Sequence, residues 1–229
     1  MTPSLSIVIP TLNAAATLDA TFSALAEVRE AGIVFECLVV DGGSSDDTVA
    51  RARAHNAVVL ATAAGRGAQL KAGGEAARGD WLLFLHADTR LAPGWSRDVK
   101  HFIERPENAE RAAFFRFAFD DNSAPARRLE RIVALRCRLL ALPYGDQGLL
   151  IGRRFYRRLG GFEPLPLMED VDLVRRIGRR RLVMLDPPAI TSAERYRRDG
   201  WLLRPMLNLS CLTLYFLGVP PRLIRRLYA

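Results

Sequence analysis

The chain has 229 residues, of which 49% are hydrophobic, and its formal net charge is +8. This length suits one α/β domain with appendages, and the hydrophobic content is enough for a full core. The three cysteines, Cys37, Cys137 and Cys211, lack the spacing of metal ligands, which excludes a cysteine metal site and indicates a reducing cytosol. Met1–Ser4 lacks the regions of a signal peptide, so the chain is expected to enter its first strand directly.

Positive charge is concentrated in the second half of the chain. Residues 127–229 contain 21 arginines and 9 acidic residues, whereas residues 1–126 contain more acidic than basic side chains. This arginine-rich half of the chain could contact anionic lipid head groups or a diphosphate, or its arginines could form a solvated surface. Nucleic acid is disfavoured, because the arginines are not interleaved with exposed aromatic residues and no nucleic-acid-binding signature occurs.

Apolar runs alternate with helical patterns along the first hundred residues. Strands are predicted at residues 5–9, 35–40, 57–60 and 81–85. Helices are predicted from Asn13, as N-cap, to Ala31, and at residues 46–55, 68–77 and 95–103. This alternation predicts a doubly wound, mostly parallel central sheet with helices on both faces.

The second half continues with mixed elements and a helical tail. Strands are predicted at residues 112–119 and 145–152, and helices at 124–141, 153–159 and 169–180. Residues 199–229 are expected to form amphipathic helices, because their uncharged stretch is too short to span a bilayer. Packing on the core, self-association as a homodimer and contact with a membrane surface are all left open for this tail.

Polar residues follow three of the predicted strands, and ligands of open parallel sheets bind at this edge. Asp41 ends the second strand, where it could accept a hydrogen bond from a ribose or base, or form an Asx turn. Asp88 follows the fourth strand and suits a magnesium or manganese ion that takes its other ligands from phosphate and water. His86 could be a second metal ligand, a contact to the sugar diphosphate, or a hydrogen-bonded core histidine.

Two further segments carry candidate chemistry. Arg66 and Gln69 stand at the start of a predicted helix, which is a suitable place for an anion. Glu169 and Asp170 begin another predicted helix, where carboxylates are usually caps. Asp170 is the candidate general base for an acceptor hydroxyl.

These motifs, taken in order, resemble family 2 glycosyltransferases, which have the nucleotide-sugar-binding GT-A fold. The matching residues are Ser6–Asn13, Val39–Thr48, Leu83–Asp88 and Gly160–Phe162 followed by Glu169–Asp172. The resemblance covers roughly residues 4–180, and the whole chain looks similar to a bacterial subgroup linked to arsenosugar biosynthesis.

The resemblance implies an inverting glycosyltransferase with a nucleotide-sugar donor, uridine-based, and a small-molecule or lipid-linked acceptor. It implies a catalytic domain over residues 1–198, with a nucleotide-binding half to about 90, and it implies catalysis by Asp170 with Glu169. The implied nucleotide-sugar contacts are Pro10, Thr11, Asn13, Asp41, Gly43, Arg66, Gln69, His86, Ala87 and Asp88. The implied diphosphate or acceptor contacts are Gln147, Arg195, Arg198 and Trp201.

One departure from the family pattern concerns the metal. The resemblance puts a divalent ion, Mn²⁺ or Mg²⁺, on Asp88, but the family's usual first aspartate is replaced by His86. A non-catalytic sugar-nucleotide-binding or membrane-associated scaffold is therefore the alternative function. Nucleotidyl transfer and dinucleotide-dependent oxidoreduction are disfavoured, because no glycine-rich phosphate loop follows the first strand. The protein is expected in the cytoplasm, with peripheral membrane contact left open.

Overall fold

The computed structural model describes residues 4–228, so the predicted entry of Met1–Pro3 into the first strand lies outside the described residues. One sheet has the strand order β3-β2-β1-β4-β7-β6-β8-β5. Its strands are β1 Leu5–Thr11, β2 Phe35–Asp41, β3 Val58–Ala61, β4 Trp81–Phe84, β5 Thr89–Leu91, β6 Ala112–Phe119, β7 Leu149–Gly152 and β8 Leu182–Thr191.

Helices cover both faces of this sheet and form the end of the chain. They are α1 Ala15–Leu25, α2 Glu27–Glu30, α3 Thr48–Ala54, α4 Arg66–Ala76, α5 Trp95–Ile103, α6 Ala124–Leu140, α7 Arg153–Arg158, α8 Glu169–Ile177, α9 Glu194–Asp199, α10 Leu203–Phe216 and α11 Pro221–Tyr228. No helix within residues 4–228 is long and apolar enough to cross a membrane.

The first four strands are parallel, as predicted. Thr11 pairs with Asp41 at the ends of β1 and β2, and β4 pairs with β1 on its other side. The carboxyl ends of β1, β2 and β4 therefore share one edge of the sheet. Apolar side chains on both faces, such as Ile7 and Val8, are fully buried, as expected for strands covered by helices on both sides.

The second half of the sheet is mixed, which the sequence analysis did not resolve. β7 is antiparallel to β4 and β6, whereas β8 is parallel to β6 and antiparallel to β5. β5 and β8 were missed, because β5 has only three residues and β8 contains Pro187 and Pro188. The register shifts between Phe115 and Arg116 opposite this pair of prolines, and such irregularities accommodate proline in a sheet.

Two predicted element boundaries in the second half of the chain were wrong. Residues 145–147 form a 3-10 helix instead of the start of a strand, and β7 begins only at Leu149. The helix that begins at Glu169 ends at Ile177 instead of residue 180, because Gly178 has φ +81° and breaks it. A further 3-10 helix follows at Arg179–Arg181.

Asn13 was wrongly predicted as the N-cap of α1. The cap position is Ala14, and Asn13 has φ +50°, a left-handed conformation that asparagine tolerates. The N–H groups of Ala14 and Ala15 are instead satisfied across the sheet edge, by the Thr48 hydroxyl at 2.7 Å and the Asp46 carboxylate at 3.1 Å. The loop after β2 therefore caps the helix that follows β1.

The C-terminal helices pack one face on the domain. Cys211, Leu212 and Ile224 are buried in a cluster that includes Leu167, which precedes α8, and Val171 of α8. Core packing of the tail is therefore observed for one face of α10 and α11. The opposite faces expose leucines, whose role is considered below.

Candidate active site

Asp41 joins the loops after β1 and β2 and is only 5% exposed. Its Oδ1 accepts hydrogen bonds from the hydroxyls of Thr11 (3.0 Å) and Ser44 (2.5 Å). Its Oδ2 accepts from the backbone N–H groups of Gly43 (2.9 Å) and Ser44 (2.8 Å). Burial alone would raise the pKa of Asp41, but these donors hold it below its usual value. A carboxylate offers about four acceptor sites, so this network leaves little capacity for the predicted nucleoside contact.

Three other residues predicted to contact the nucleotide sugar are buried near this rim. Pro10 lies within β1, and Ala87 is 8% exposed directly after β4. Gln69 is 4% exposed, and its Nε2 donates to the carbonyl oxygens of Thr11 and Val40, both at 2.7 Å. Gln69 thus connects the carboxyl ends of β1 and β2 through its side-chain amide.

A cavity of about 620 Å³ lies beside the carboxyl end of β4. Its polar end contains five of the predicted site residues, which come from four separate segments of the chain. They are Arg66, His86, Asp88, Asp170 and Arg195. The fold therefore brings the predicted metal, diphosphate and general-base residues to one space.

Gly145 allows His86 and Asp170 to face this space together. The N–H of Gly145 donates to Oδ2 of Asp170 at 2.8 Å. A Cβ atom at position 145 would lie 2.6 Å from Nε2 of His86 and 3.5 Å from Oδ2 of Asp170. Any side chain here would displace the imidazole, so the site requires glycine for close approach.

The charge of His86 is set by its surroundings. Burial, together with the positive charges of Arg66 and Arg195, lowers the pKa of His86 to about 4, although the negative charges of Asp88 and Asp170 oppose this shift. The imidazole is therefore neutral at pH 7, and a neutral imidazole nitrogen can bind a metal ion.

Asp146 is a cavity residue that the sequence analysis missed. Its Oδ1 is buried and has no hydrogen-bond partner among residues 4–228. Burial raises the pKa of Asp146 to about 6, although Arg136 opposes this rise, and the negative charges of Asp170 and Asp88 contribute to it. The available signal was its place directly before Gln147, which the resemblance implies as a diphosphate or acceptor contact.

Glu169 lies behind the cavity and positions Arg66. It is 1% exposed, and its Oε1 forms an ion pair with Nε of Arg66. Burial raises the pKa of Glu169, while the charge of Arg66 opposes that rise. Its Oε2 has no hydrogen-bond partner among the described residues. Glu169 does not line the cavity among residues 4–228, so we expect it to position Arg66, and its catalytic role stays a prediction.

The remaining predicted contacts lie in the walls or on the surface. Gln147 is 1% exposed, and its Nε2 donates to the carbonyl of Phe115 at 3.0 Å, which braces β6. Arg198 is exposed and pairs with Asp199 at 2.7 Å. Trp201 packs edge-on against Phe119, with ring centroids 5.4 Å apart. None of these three side chains lines the cavity within the described part of the chain.

The polar end fits a divalent metal ion that takes part of its coordination from a ligand. No group of three or more His, Cys, Asp or Glu among residues 4–228 is placed to hold a metal by itself. His86 and Asp88, the two residues predicted to bind the metal, both line the cavity. Mg²⁺ and Mn²⁺ sites of this kind are completed by phosphate oxygens and water, so two protein ligands suffice.

Comparison with known proteins agrees with this geometry. The profile described as Glycosyl transferase family 2 matches residues 6–181. The chain belongs to this family. A curated relative, the PGL/p-HBAD biosynthesis glycosyltransferase of Mycobacterium tuberculosis H37Rv, is 40% identical over 96 residues. The match covers 39% of this chain and only 37% of that relative, and the Mycobacterium bovis BCG protein gives the same values.

Solved structures of glycosyltransferases share the fold. Glucosyl-3-phosphoglycerate synthase from Mycobacterium tuberculosis, in complex with Mn²⁺, uridine diphosphate (UDP) and glucosyl-3-phosphoglycerate, gives a TM-score of 0.58 at 22% identity over 81% of this chain and 70% of its own. S. aureus TarS 1-349 in complex with UDP gives a TM-score of 0.63 at 19% identity, over 85% of this chain and 62% of its own. The predicted GT-A fold is thereby confirmed.

Proposed function

We propose that this member of family 2 is an inverting glycosyltransferase that moves a sugar from a UDP-linked donor to an acceptor hydroxyl. The observation that carries the proposal is the cavity at the end of β4, where Asp170 shares the polar end with Arg66, His86, Asp88 and Arg195. This reaction requires a base, cations and two metal-compatible donors in one space.

Each charged side chain has a role in the proposed transfer. Asp170 accepts the proton of the acceptor hydroxyl while that oxygen attacks the anomeric carbon, and the bond from this carbon to the diphosphate oxygen breaks. Attack opposite the leaving group inverts the anomeric centre. Arg66 and Arg195 neutralise the departing diphosphate, and Gly145 holds Asp170 in place through its N–H.

His86 and Asp88 would hold the divalent ion. Bound there, Mg²⁺ or Mn²⁺ supplies positive charge that stabilises the leaving diphosphate. The complex of a structural neighbour with Mn²⁺ and UDP supports this assignment, since it has the same fold. His86 brings a neutral nitrogen where the family usually has a carboxylate, and we expect Mn²⁺ to be preferred over Mg²⁺ for this reason.

The rest of the assignment follows from the family and stays at the level of proposal. We propose residues 1–198 as the catalytic domain and residues 199–229 as the helical appendage. The arsenosugar subgroup and the cytoplasmic location stay predictions, as do contact of the tail with a membrane surface and a homodimer. We also propose that the acceptor is a small molecule or a lipid-linked compound.

A non-catalytic sugar-nucleotide-binding scaffold is the second candidate. The observation that favours it is His86, which stands where the resemblance expects the first aspartate of the metal pair. The two candidates differ in one outcome, because only an enzyme releases UDP from a supplied donor sugar.

Calorimetric titration of UDP, with and without Mn²⁺, tests the donor site. We expect Mn²⁺ to tighten UDP binding to the wild type, and we expect Asp88→Ala to abolish this gain while the protein keeps its melting temperature. UDP release from a panel of UDP-sugars then separates enzyme from scaffold. Metal-independent UDP binding, unchanged in Asp88→Ala, would contradict the metal assignment, and absence of UDP binding would contradict the donor assignment.

A further inference from the structure

The greater part of the cavity wall is apolar and comes from helices outside the polar end. Residues of α6, of α10 and of the segment before α8 form this apolar lining. The apolar lining residues are Leu129, Ile132, Val133, Leu135, Leu139 and Leu140 of α6, Met206, Leu209 and Leu212 of α10, and Leu167 and Met168.

Many of these side chains are exposed to an extent that is unusual for leucine. Leu135, Leu139 and Leu209 are 54%, 56% and 62% exposed, and Ile132 and Met206 are similarly exposed. Exposed apolar side chains scattered singly over a surface are ordinary. Here they line one continuous cavity, and an apolar surface of this kind marks a binding site.

Two of the arginines that line the cavity, Arg136 and Arg204, are held against aromatic rings. The Arg136 guanidinium lies 3.5 Å from the centroid of the Tyr144 ring, and its Nε donates to a backbone carbonyl. Arg204 stacks over Tyr228 at 4.4 Å and pairs with Asp199 at 3.5 Å. Because most of the other lining residues of α6 and α10 are apolar, this surface suits a hydrocarbon portion of a ligand.

We infer that the acceptor is amphiphilic, with its hydroxyl-bearing head at Asp170 and a hydrocarbon portion lying between α6 and α10. This inference rests on the proposed function, because it assigns the acceptor of the same site. The cavity joins the two ends without a break, so one molecule that fills it must be polar near Asp170 and apolar beyond Tyr144.

A series of alkyl β-glucosides provides a probe with a constant head and a variable chain. Methyl, hexyl and octyl β-glucoside are titrated against the UDP- and Mn²⁺-loaded protein below their micelle concentrations. A buried methylene raises affinity by about fourfold, so octyl glucoside should bind at least about tenfold more tightly than hexyl glucoside. Equal affinity for all three glucosides would overturn the inference.

Matched pairs of exposed leucines locate the binding surface. Leu139→Gln with Leu209→Gln changes two exposed residues of the cavity, whereas Leu202→Gln with Leu227→Gln changes two exposed residues outside it. We expect the first pair to reduce the preference for octyl glucoside at least about tenfold, and the second to leave it unchanged. A preference that survives in the first pair would overturn the inference.

Other occupants of this face give other outcomes. If the apolar wall instead binds a second copy of the chain, sedimentation will show a wild-type dimer that the Leu139 and Leu209 pair abolishes, with no chain-length preference. If the apolar wall instead only contacts a bilayer, both double variants will lose the same amount of binding to anionic phosphatidylglycerol vesicles. Either result overturns the acceptor assignment.

Failure of this inference is distinguishable from failure of the proposed function. UDP titration of the same variants reports the donor site, which lies at the polar end and should be unaffected by both pairs. Asp170→Asn should still prefer octyl glucoside, because its apolar wall is unchanged, while it loses turnover.

Discussion

The loops after β1 and β2 and the polar end of the cavity both contain buried carboxylates, but the two regions use them differently. In the loops, Asp41 receives four hydrogen bonds from its own chain. In the cavity, Oδ1 of Asp146 has no partner among residues 4–228, and His86 and Asp88 share a space that no side chain fills.

This difference separates structural polar groups from those that face a ligand. Donors and acceptors that satisfy one another hold a loop in one shape, and their removal costs stability. Charges that face a cavity cost stability and are kept for what they bind. Substitutions in the loops should therefore lower stability, whereas substitutions in the cavity should reduce binding or turnover.

The largest effect is expected for Asp170→Asn. The amide keeps the size of the carboxylate and can still accept a hydrogen bond from the Gly145 N–H, but it cannot take the proton of the acceptor. Turnover should fall on the order of 10²- to 10⁴-fold, while UDP binding changes little. A coupled assay of UDP release measures the first and calorimetry the second.

Asp172→Asn is the matched control, because Asp172 lies in the same helix but pairs with Arg176 outside the cavity. Its turnover should stay within a small factor of the wild type. Equal losses in the two variants would show that the helix, not the base, was damaged.

Gly145→Ala should be the next most damaging change. The added methyl group displaces the imidazole of His86, since its Cβ would lie 2.6 Å from Nε2. A misplacement of about 1 Å can cost about 10²-fold in rate, and we expect a loss of that order with weaker Mn²⁺-dependent UDP binding. Gly152→Ala, whose Cβ would have ordinary contacts at 3.4 Å and beyond, should leave the rate unchanged. Full activity in Gly145→Ala would remove His86 from the site.

Asp41→Ala tests the structural region. It leaves the donors of Thr11, Gly43 and Ser44 without their acceptor, and unfolding free energy should fall by about 2–4 kcal/mol. Because the pKa of Asp41 is lowered in the folded state, the wild type holds this stability above the usual carboxyl pKa and loses it as pH falls through the lowered value. Denaturant titrations at pH 7 and below pH 4 measure the difference, with exposed Asp47→Ala as the unaffected control.

Asp146→Asn should have a smaller effect of opposite sign. Since burial raises the pKa of Asp146 to about 6, the wild type loses stability as pH rises from about 4 through 6, and the amide does not. The variant should be more stable by about 1–3 kcal/mol at pH 8 and equal at pH 3. A constant difference across this range would show that Asp146 has an ordinary pKa. Thermal unfolding of the variant and the wild type across this pH range measures the difference in stability.

The sequence could predict the residues at the carboxyl edge of the sheet, because a local pattern of apolar residues identifies the strands that they follow. Apolar runs identified the first four strands, and the residues directly after β4 identified Asp88 and His86 as neighbours of the site. Asp170 was found because it begins a helix in a family motif. Arg66 was found for a similar reason, at a predicted helix start.

The rest depended on contacts between distant segments. β8 was hidden by two prolines that a register shift accommodates, and Asp146 was hidden because only burial beside Asp170 distinguishes it. The internal roles of Gln69 and Gln147 could not be seen either, because their partners lie in strands far away in the chain. The apolar wall could not be predicted, because the sequence does not show that α6 and α10 line the same cavity.

The most direct test follows an anomerically pure UDP-α-sugar by proton NMR as the enzyme hydrolyses it slowly with water as acceptor. The proposed mechanism predicts that the β-anomer of the sugar appears first with Mn²⁺ and wild-type protein, and that Asp170→Asn gives no release above buffer. Initial appearance of the α-anomer, or equal release by Asp170→Asn, would contradict an inverting transfer with Asp170 as its base.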